Sequence, residues 1–139
     1  MKNYLTLAVG FLAILGFTSC TKEYYDVVPN KTFVYTIQPN QWAWDTGVIN
    51  QIYYDINLPE LTDYYVDQGI VSVSLSVDDE ASYNILPATI MGTAYSVNYT
   101  TGFVTIYAED PVFDPDFEVP VPDRRVTVKI TLSDADFIP

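Results

Sequence analysis

The sequence contains no histidine and only one cysteine, Cys20. Without histidine the chain lacks the commonest general base and the commonest zinc ligand, and Ser-His-Asp catalysis is impossible. A lone cysteine cannot form an internal disulfide, so the stability of the folded chain must come from an apolar core. No Walker, Gly-x-Ser-x-Gly or dinucleotide-binding glycine pattern occurs either. These absences argue against an enzyme.

Basic residues are also scarce, with six Lys and Arg against eighteen Asp and Glu and a formal net charge of −12. Such an acidic surface repels nucleic acid and anionic lipid headgroups, so we expect neither as a partner. Nearly half of the residues are apolar, including twelve tyrosines, seven phenylalanines and two tryptophans. This composition is sufficient for one domain with a buried core.

The first nineteen residues predict a cleaved export signal. Lys2 precedes an uncharged, mostly apolar run over residues 4–17, which is shorter than the roughly 20 residues that a membrane-spanning helix needs. Phe17-Thr18-Ser19-Cys20 resembles the bacterial lipobox, although Phe17 stands where leucine is usual. The resemblance implies cleavage before Cys20 and attachment of diacylglycerol and a further acyl chain such as palmitate. Two or three acyl chains make a stable membrane anchor.

Residues 20–31 are predicted to be the lipidated cysteine and a short polar tether, and residues 32–139 a single domain. From Thr32 onward apolar and polar side chains alternate, which is the period of half-buried strands. The clearest alternation is over residues 70–77, where Val71, Val73 and Leu75 alternate with serines. Strands are also predicted at 32–38, 48–58, 88–100, 103–108 and 125–132, with short extended segments at 41–44 and 83–86.

Strict alternation indicates sheets with one wet face, which is typical of antiparallel sheets. We therefore predict an antiparallel β-sandwich of immunoglobulin-like or jelly-roll type, with a small β-barrel as the alternative. One short helical turn is expected near residues 61–68, where Glu60 and Asp63 favour its start and Gly69 fits the position after its end. Gly102 predicts a tight turn between two strands of a hairpin.

The order of these features resembles a group of uncharacterised Bacteroidota outer-membrane lipoproteins. The resemblance covers residues 17–139 and includes the lipobox, Gln41-Trp42-Ala43-Trp44-Asp45, the valine-serine strand and the terminal Val-Thr-Val-Lys-Ile. Members often carry a collagen-like spacer between the anchor and the domain, which this chain lacks. The resemblance implies a β-rich domain in the outer membrane and no known activity. Lys22-Glu23, directly after the anchor, resembles a signal that places such lipoproteins on the cell surface rather than facing the periplasm.

Exposed aromatic side chains are the first candidates for ligand binding. Trp42 and Trp44, with Tyr53 and Tyr65, are predicted to stack on sugar rings while nearby Asn and Asp side chains bind the hydroxyls. The competing interpretation is that at least one tryptophan fills the core, as large aromatic side chains usually do.

Clustered carboxylates are the second candidate. Residues 109–123 hold four prolines, six carboxylates and no base, so we predict a long exposed loop and not a central strand. Calcium prefers six to eight oxygen ligands, and a candidate calcium site is formed by Asp110, Asp114, Asp116 and Glu118. The competing interpretation is a solvated acidic loop.

Taken with the anchor, these features favour a non-enzymatic, surface-displayed binding module for glycan or protein, held in the bacterial outer membrane by its acyl groups. The alternative is a structural accessory subunit of a periplasmic or outer-membrane complex. A pair of carboxylates from Asp78, Asp79, Glu80 or the 109–123 segment could in principle hydrolyse glycosides. Their expected position in surface turns of a small domain argues against it.

The lipid anchor is directly testable. Cys20→Ser should abolish the incorporation of labelled palmitate and release the protein from the membrane fraction, because the thiol is the only expected attachment point for the acyl chains. A Thr18→Ser variant, which keeps a small residue before the cysteine, should still be labelled. Unchanged membrane retention of Cys20→Ser would refute the anchor.

Overall fold

The computed structural model describes residues 29–112, 114, 116 and 118–135. The predicted export signal, Cys20 and most of the predicted tether lie outside these residues. Within the described ranges, no helix has the length and apolar character that a membrane span requires.

Nine strands form two antiparallel sheets within the described residues. They are β1 (Lys31–Ile37), β2 (Ala43–Trp44), β3 (Gln51–Asn57), β4 (Ile70–Ser76), β5 (Asn84–Ile85), β6 (Ala88–Ile90), β7 (Thr93–Thr100), β8 (Phe103–Glu109) and β9 (Val126–Ser133). The four-stranded sheet has the order β1-β9-β4-β5, and the five-stranded sheet has the order β2-β3-β8-β7-β6. This is a β-sandwich, which confirms the predicted all-β class. The barrel alternative is wrong, because no described strand joins the two sheets.

The core lies between the inner faces of the two sheets. In β9, at the centre of the four-stranded sheet, Val126, Val128, Ile130 and Leu132 are each at most 1% exposed. Alternate residues of β8, at the centre of the five-stranded sheet, are also buried: Val104, Ile106 and Ala108. Full burial of one such side chain contributes about 1.5–3 kcal/mol relative to exposure. A one-residue slip of either strand would lose this contribution at every position, and the register is therefore strongly determined.

The predicted helical turn is present as α1 (Asp63–Asp67). The backbone N–H groups of Gln68 and Gly69 both donate to the carbonyl of Tyr64, at 2.9 and 3.1 Å, and these bonds end the helix. Gly69 is needed for close packing and not for a left-handed backbone. A Cβ at this position would lie 2.7 Å from Cδ1 of Tyr65 and 3.0 Å from the carbonyl oxygen of Ser133.

The strand predicted over residues 48–58 begins three residues later than expected. Asn50 adopts a φ of 57°, in the left-handed region that asparagine tolerates better than most residues. The turn that it makes separates Val48 and Ile49 from β3 and leaves them 43% and 76% exposed.

The single strand predicted over residues 88–100 is also wrong. Met91 and Gly92 have φ values of 51° and 86°, and Ile90 pairs with Thr93 across them. This two-residue turn divides the segment into β6 and β7. Positive φ at both turn residues matches the right-handed twist of a hairpin. The turn predicted at Gly102 is confirmed by its φ of 81°.

The acidic segment after β8 differs from the exposed loop that the sequence predicts, because part of it is buried. Asp110 is 7% exposed and Val119 is 1% exposed. Both Asp110 carboxylate oxygens accept backbone hydrogen bonds, one from Val112 at 3.3 Å and one from Asp114 at 2.7 Å. A buried carboxylate needs such partners. The segment therefore begins with a turn folded around Asp110.

The topology places the chain entry and the long loops at opposite ends of the sandwich. At the entry end, β1 begins at Lys31, which pairs with Leu132 near the end of β9. At the loop end, β1 finishes at Ile37, opposite Val126 at the start of β9. The acidic segment, the 45–50 turn and the 78–82 turn all lie at the loop end. Seven residues of β1 separate the two ends by about 20 Å.

Gly69→Ala should destabilise the domain by about 1–3 kcal/mol, the usual cost of inserting a methyl group into a packed site. The matched control is Gly47→Ala, where the new Cβ would meet Asp45 Oδ1 at an ordinary 3.4 Å. Urea denaturation followed by circular dichroism measures both. Equal stability of the two variants would contradict the close packing at Gly69.

Candidate binding surfaces

The outer face of the five-stranded sheet carries a pair of tyrosines. Tyr53 on β3 is the cross-strand partner of Tyr107 on β8. Their rings are 6.4 Å apart between centroids and tilted by 41°. Both side chains are half-buried. They are held side by side by the sheet and remain open to solvent on one side.

Polar side chains flank this tyrosine pair along the same two strands. On one side the Thr105 hydroxyl donates to Asp55 Oδ1 at 2.6 Å. On the other, Gln51 Nε2 donates to Glu109 Oε2 at 2.8 Å. Both are cross-strand pairs in the β3–β8 register. We call these six residues the tyrosine face: Gln51, Tyr53, Asp55, Thr105, Tyr107 and Glu109.

A shallow groove of about 250 Å³ runs beside the tyrosine face. Trp44 and Thr46 form part of its lining, together with Tyr53 and Tyr107. Trp44 is 43% exposed. The structure thus brings together two of the four predicted aromatic residues, Trp44 and Tyr53.

The other two predicted aromatic residues belong to the core. Trp42 is 8% exposed and Tyr65 is 6% exposed, so neither offers a ring face to a ligand. Tyr65 lies at the entry end, where Tyr64 packs edge-on against it at 5.2 Å and the Lys31 ammonium lies 5.8 Å from its ring centroid. Trp42 fills the interior, as large aromatic residues usually do. Its indole nitrogen has no hydrogen-bond partner within the described part of the chain.

Tyr107, Asp55 and Thr105 were not among the predicted site residues. Alternation alone places Tyr53 and Asp55 on one face of β3, and Thr105 and Tyr107 on one face of β8. Alternation does not show which strands are neighbours in a sheet. Asp55 and Thr105 are fifty residues apart in sequence, so their contact could not be predicted from a local pattern. The outward tyrosine on each strand was the signal that could have suggested a shared face.

The four predicted calcium ligands do not converge on one point. Among the described residues, no group of three or more His, Cys, Asp or Glu is placed to hold a metal ion. Asp110 binds backbone N–H groups, and Asp114 Oδ1 accepts the N–H of Asp116 at 2.9 Å. Asp116 and Glu118 instead line an open groove of about 450 Å³ that faces the 45–50 turn.

The turn after β4 fixes the carboxylate of Asp78 by hydrogen bonds. Asp78 accepts hydrogen bonds from the hydroxyls of Ser82 at 2.6 Å and Ser76 at 2.7 Å. The Ser82 and then the Ser76 hydrogen bonds lower the pKa of the Asp78 carboxyl from 3.8 to about 2. Alternation along β4 predicts that Ser76 faces solvent with Ser72 and Ser74, but this turn covers it and it is 1% exposed. A carboxyl that stays ionised cannot act as a general acid near neutral pH.

A cavity of about 260 Å³ opens at the loop end, between the two sheets. Val126 of β9 and Val77, the residue after β4, line one side, and Ile90 and Met91, at the turn after β6, line another. Residues 120–125 close the remaining side. The walls are mostly apolar, unlike those of the two grooves near Trp44.

No family model, curated protein or solved structure matches the chain. Function is therefore inferred from the sequence and from the surfaces that the structure describes.

The Asp78 turn predicts a specific pH dependence. Because the folded-state pKa lies below the ordinary value, the stabilisation is present above about pH 4 and is lost as the pH falls towards 2. Asp78→Asn should therefore lose less stability than the wild type over this interval. Urea unfolding at pH 5, 4, 3 and 2 measures this. Asp45→Asn, at another turn, is the control variant, and identical pH profiles for Asp78→Asn and the wild type would contradict the assignment.

Proposed function

We propose that the chain is a non-enzymatic, lipid-anchored recognition module of a bacterial outer membrane, and that it binds glycan through the tyrosine face. The observation that supports the glycan assignment is the pair formed by Tyr53 and Tyr107, held open to solvent beside hydrogen-bonding side chains. The absence of histidine favours binding over catalysis. Cys20 supplies the anchor in this proposal.

Sugar recognition needs two kinds of group on one surface. A pyranose ring has an apolar face that packs on an aromatic ring, and hydroxyls that require donors and acceptors at its rim. The tyrosine rings provide the first. Asp55 and Glu109 provide carboxylate acceptors, and Gln51 provides an amide. These groups sit on adjacent strands and not on loops, so the surface is largely pre-formed and little ordering entropy is lost on binding.

The orientation of the domain favours this use. An anchor at Cys20 joins the sandwich through the entry end, where β1 begins at Lys31. The tyrosine face runs along the side of the sandwich and Trp44 lies towards the loop end, away from that attachment. This geometry leaves the tyrosine face accessible to a ligand, and Lys22-Glu23 supports display on the outer surface of the cell.

The alternative of a structural accessory subunit has one observation in its favour. On the outer face of the four-stranded sheet, Val34 and Ile85 are 57% and 72% exposed. They lie in one cross-strand row with Lys129 and Ser74 between them. A protein partner could cover this row. It is narrow and interrupted by a lysine, whose ammonium lies 3.8 Å from the Tyr83 ring centroid, and for this reason we rank it second.

A glycan array probed with the mature chain, residues 20–139 with Cys20→Ser for solubility, tests the proposal. We expect retention of one glycan class. Tyr53→Ala and Tyr107→Ala should each weaken that binding by about tenfold or more, the loss expected when a central aromatic contact is truncated.

The matched control is Tyr99→Ala, which removes a 37% exposed tyrosine that is not part of the tyrosine face. Its affinity should remain at the wild-type level. Circular dichroism checks that all three variants are folded. If Tyr99→Ala weakens binding as much as Tyr53→Ala does, or if no glycan is retained, the tyrosine face is not a glycan site.

A further inference from the structure

We propose that the cavity at the loop end binds a small amphipathic carboxylate, namely a free medium-chain fatty acid. This site is separate from the tyrosine face and does not depend on glycan binding. Its volume of about 260 Å³ lies just below the roughly 300–1,000 Å³ of pockets for drug-sized ligands. The cavity therefore suits a short alkyl chain rather than a large lipid.

The walls of the cavity match an alkyl chain. Apolar side chains come from four segments: Val77 directly after β4, Val126 at the start of β9, Ile90 at the end of β6 and Val121 in the closing segment. Pro120 and Pro122 flank Val121 and restrict the backbone of that segment. Burying an alkyl chain against such walls contributes about 0.8 kcal/mol per methylene.

The rim of the cavity favours an anionic headgroup. Arg124 and Arg125 both lie there, although the chain as a whole has a net charge of −12. Arg125 is already occupied, because its Nε lies 3.0 Å from Asp79 Oδ1. Arg124 forms no ion pair with any described residue, and its exposed guanidinium can receive a carboxylate as a fork. Asp123 lies on the same rim, and its negative charge weakens the attraction of the rim for an anion.

The lining of the cavity also includes two side chains that carry hydroxyl groups. Thr93 and Tyr95 line the cavity and are each 6% exposed. A tyrosine hydroxyl is protonated at neutral pH and can donate a hydrogen bond, and burial raises the pKa of Tyr95 further. A ligand with an acceptor at one end is therefore preferred to a plain hydrocarbon.

The test is titration of the isotope-labelled mature chain, Cys20→Ser, with octanoate, octanol and a peptide ending in leucine, followed by amide resonance shifts. Octanoate should bind more tightly than octanol, and its shifts should concentrate at Ile90, Thr93 and Val121. Arg124→Gln should weaken octanoate by about tenfold, the value of one charge-assisted hydrogen bond, and leave octanol unchanged.

A second variant tests the same site at an exposed position, where a substitution should not disturb folding. Met91 is 94% exposed at the cavity mouth, so Met91→Asp should fold normally yet weaken octanoate by adding a negative charge. Ile85→Asp makes the same charge change on an exposed residue of the four-stranded sheet and should have no effect. The proposal is overturned if octanol binds as tightly as octanoate, if the shifts map elsewhere, or if octanoate does not bind at millimolar concentration. Tighter binding of the peptide than of octanoate would overturn the fatty-acid assignment.

Discussion

The register between β3 and β8 is the constraint on which the rest of the structure depends. It pairs Ile52 with Ala108 on the inner face and Tyr53 with Tyr107 on the outer face. Because side chains alternate with a period of two, the register that buries the inner row also determines which residues form the exposed outer row. The same apolar contacts that stabilise the sandwich thus hold the tyrosine pair on a rigid surface. A slip by one residue would bury Tyr53 and expose Ile52.

The strand order has a comparable consequence for the whole molecule. Because β1 and β9 are antiparallel neighbours, the described chain begins and ends at the entry end. The acidic segment folded around Asp110, the 45–50 turn and the 78–82 turn lie at the other end. An anchor joined through residues 20–30 would leave both the loop-end cavity and the tyrosine face accessible. The two arginines at the rim of the cavity contrast with the net charge of −12 that the whole chain carries.

Much of the fold could be predicted from alternation, and the failures have physical reasons. The inward rows of β4 and β9 follow from strict alternation over eight residues or so, because one side of each strand must be buried. The turn at Met91-Gly92 was missed, since a single glycine within a largely apolar segment gives a weak turn signal. The tyrosine face could be predicted only in part. Alternation correctly assigns its members to the outer side of each strand. The pairing of Tyr53 with Tyr107 depends on long-range packing, which no local pattern encodes.

The most direct test of this account is the contact between the Tyr53 and Tyr107 rings in solution. Nuclear Overhauser spectra of the mature chain carrying Cys20→Ser should show ring-to-ring contacts between these two tyrosines, whose centroids are 6.4 Å apart. Tyr53 should show none to the methyl groups of Val128 or Ile130 in the core. Contacts from Tyr53 to those core methyl groups, without contacts to Tyr107, would contradict the register and remove the proposed recognition surface.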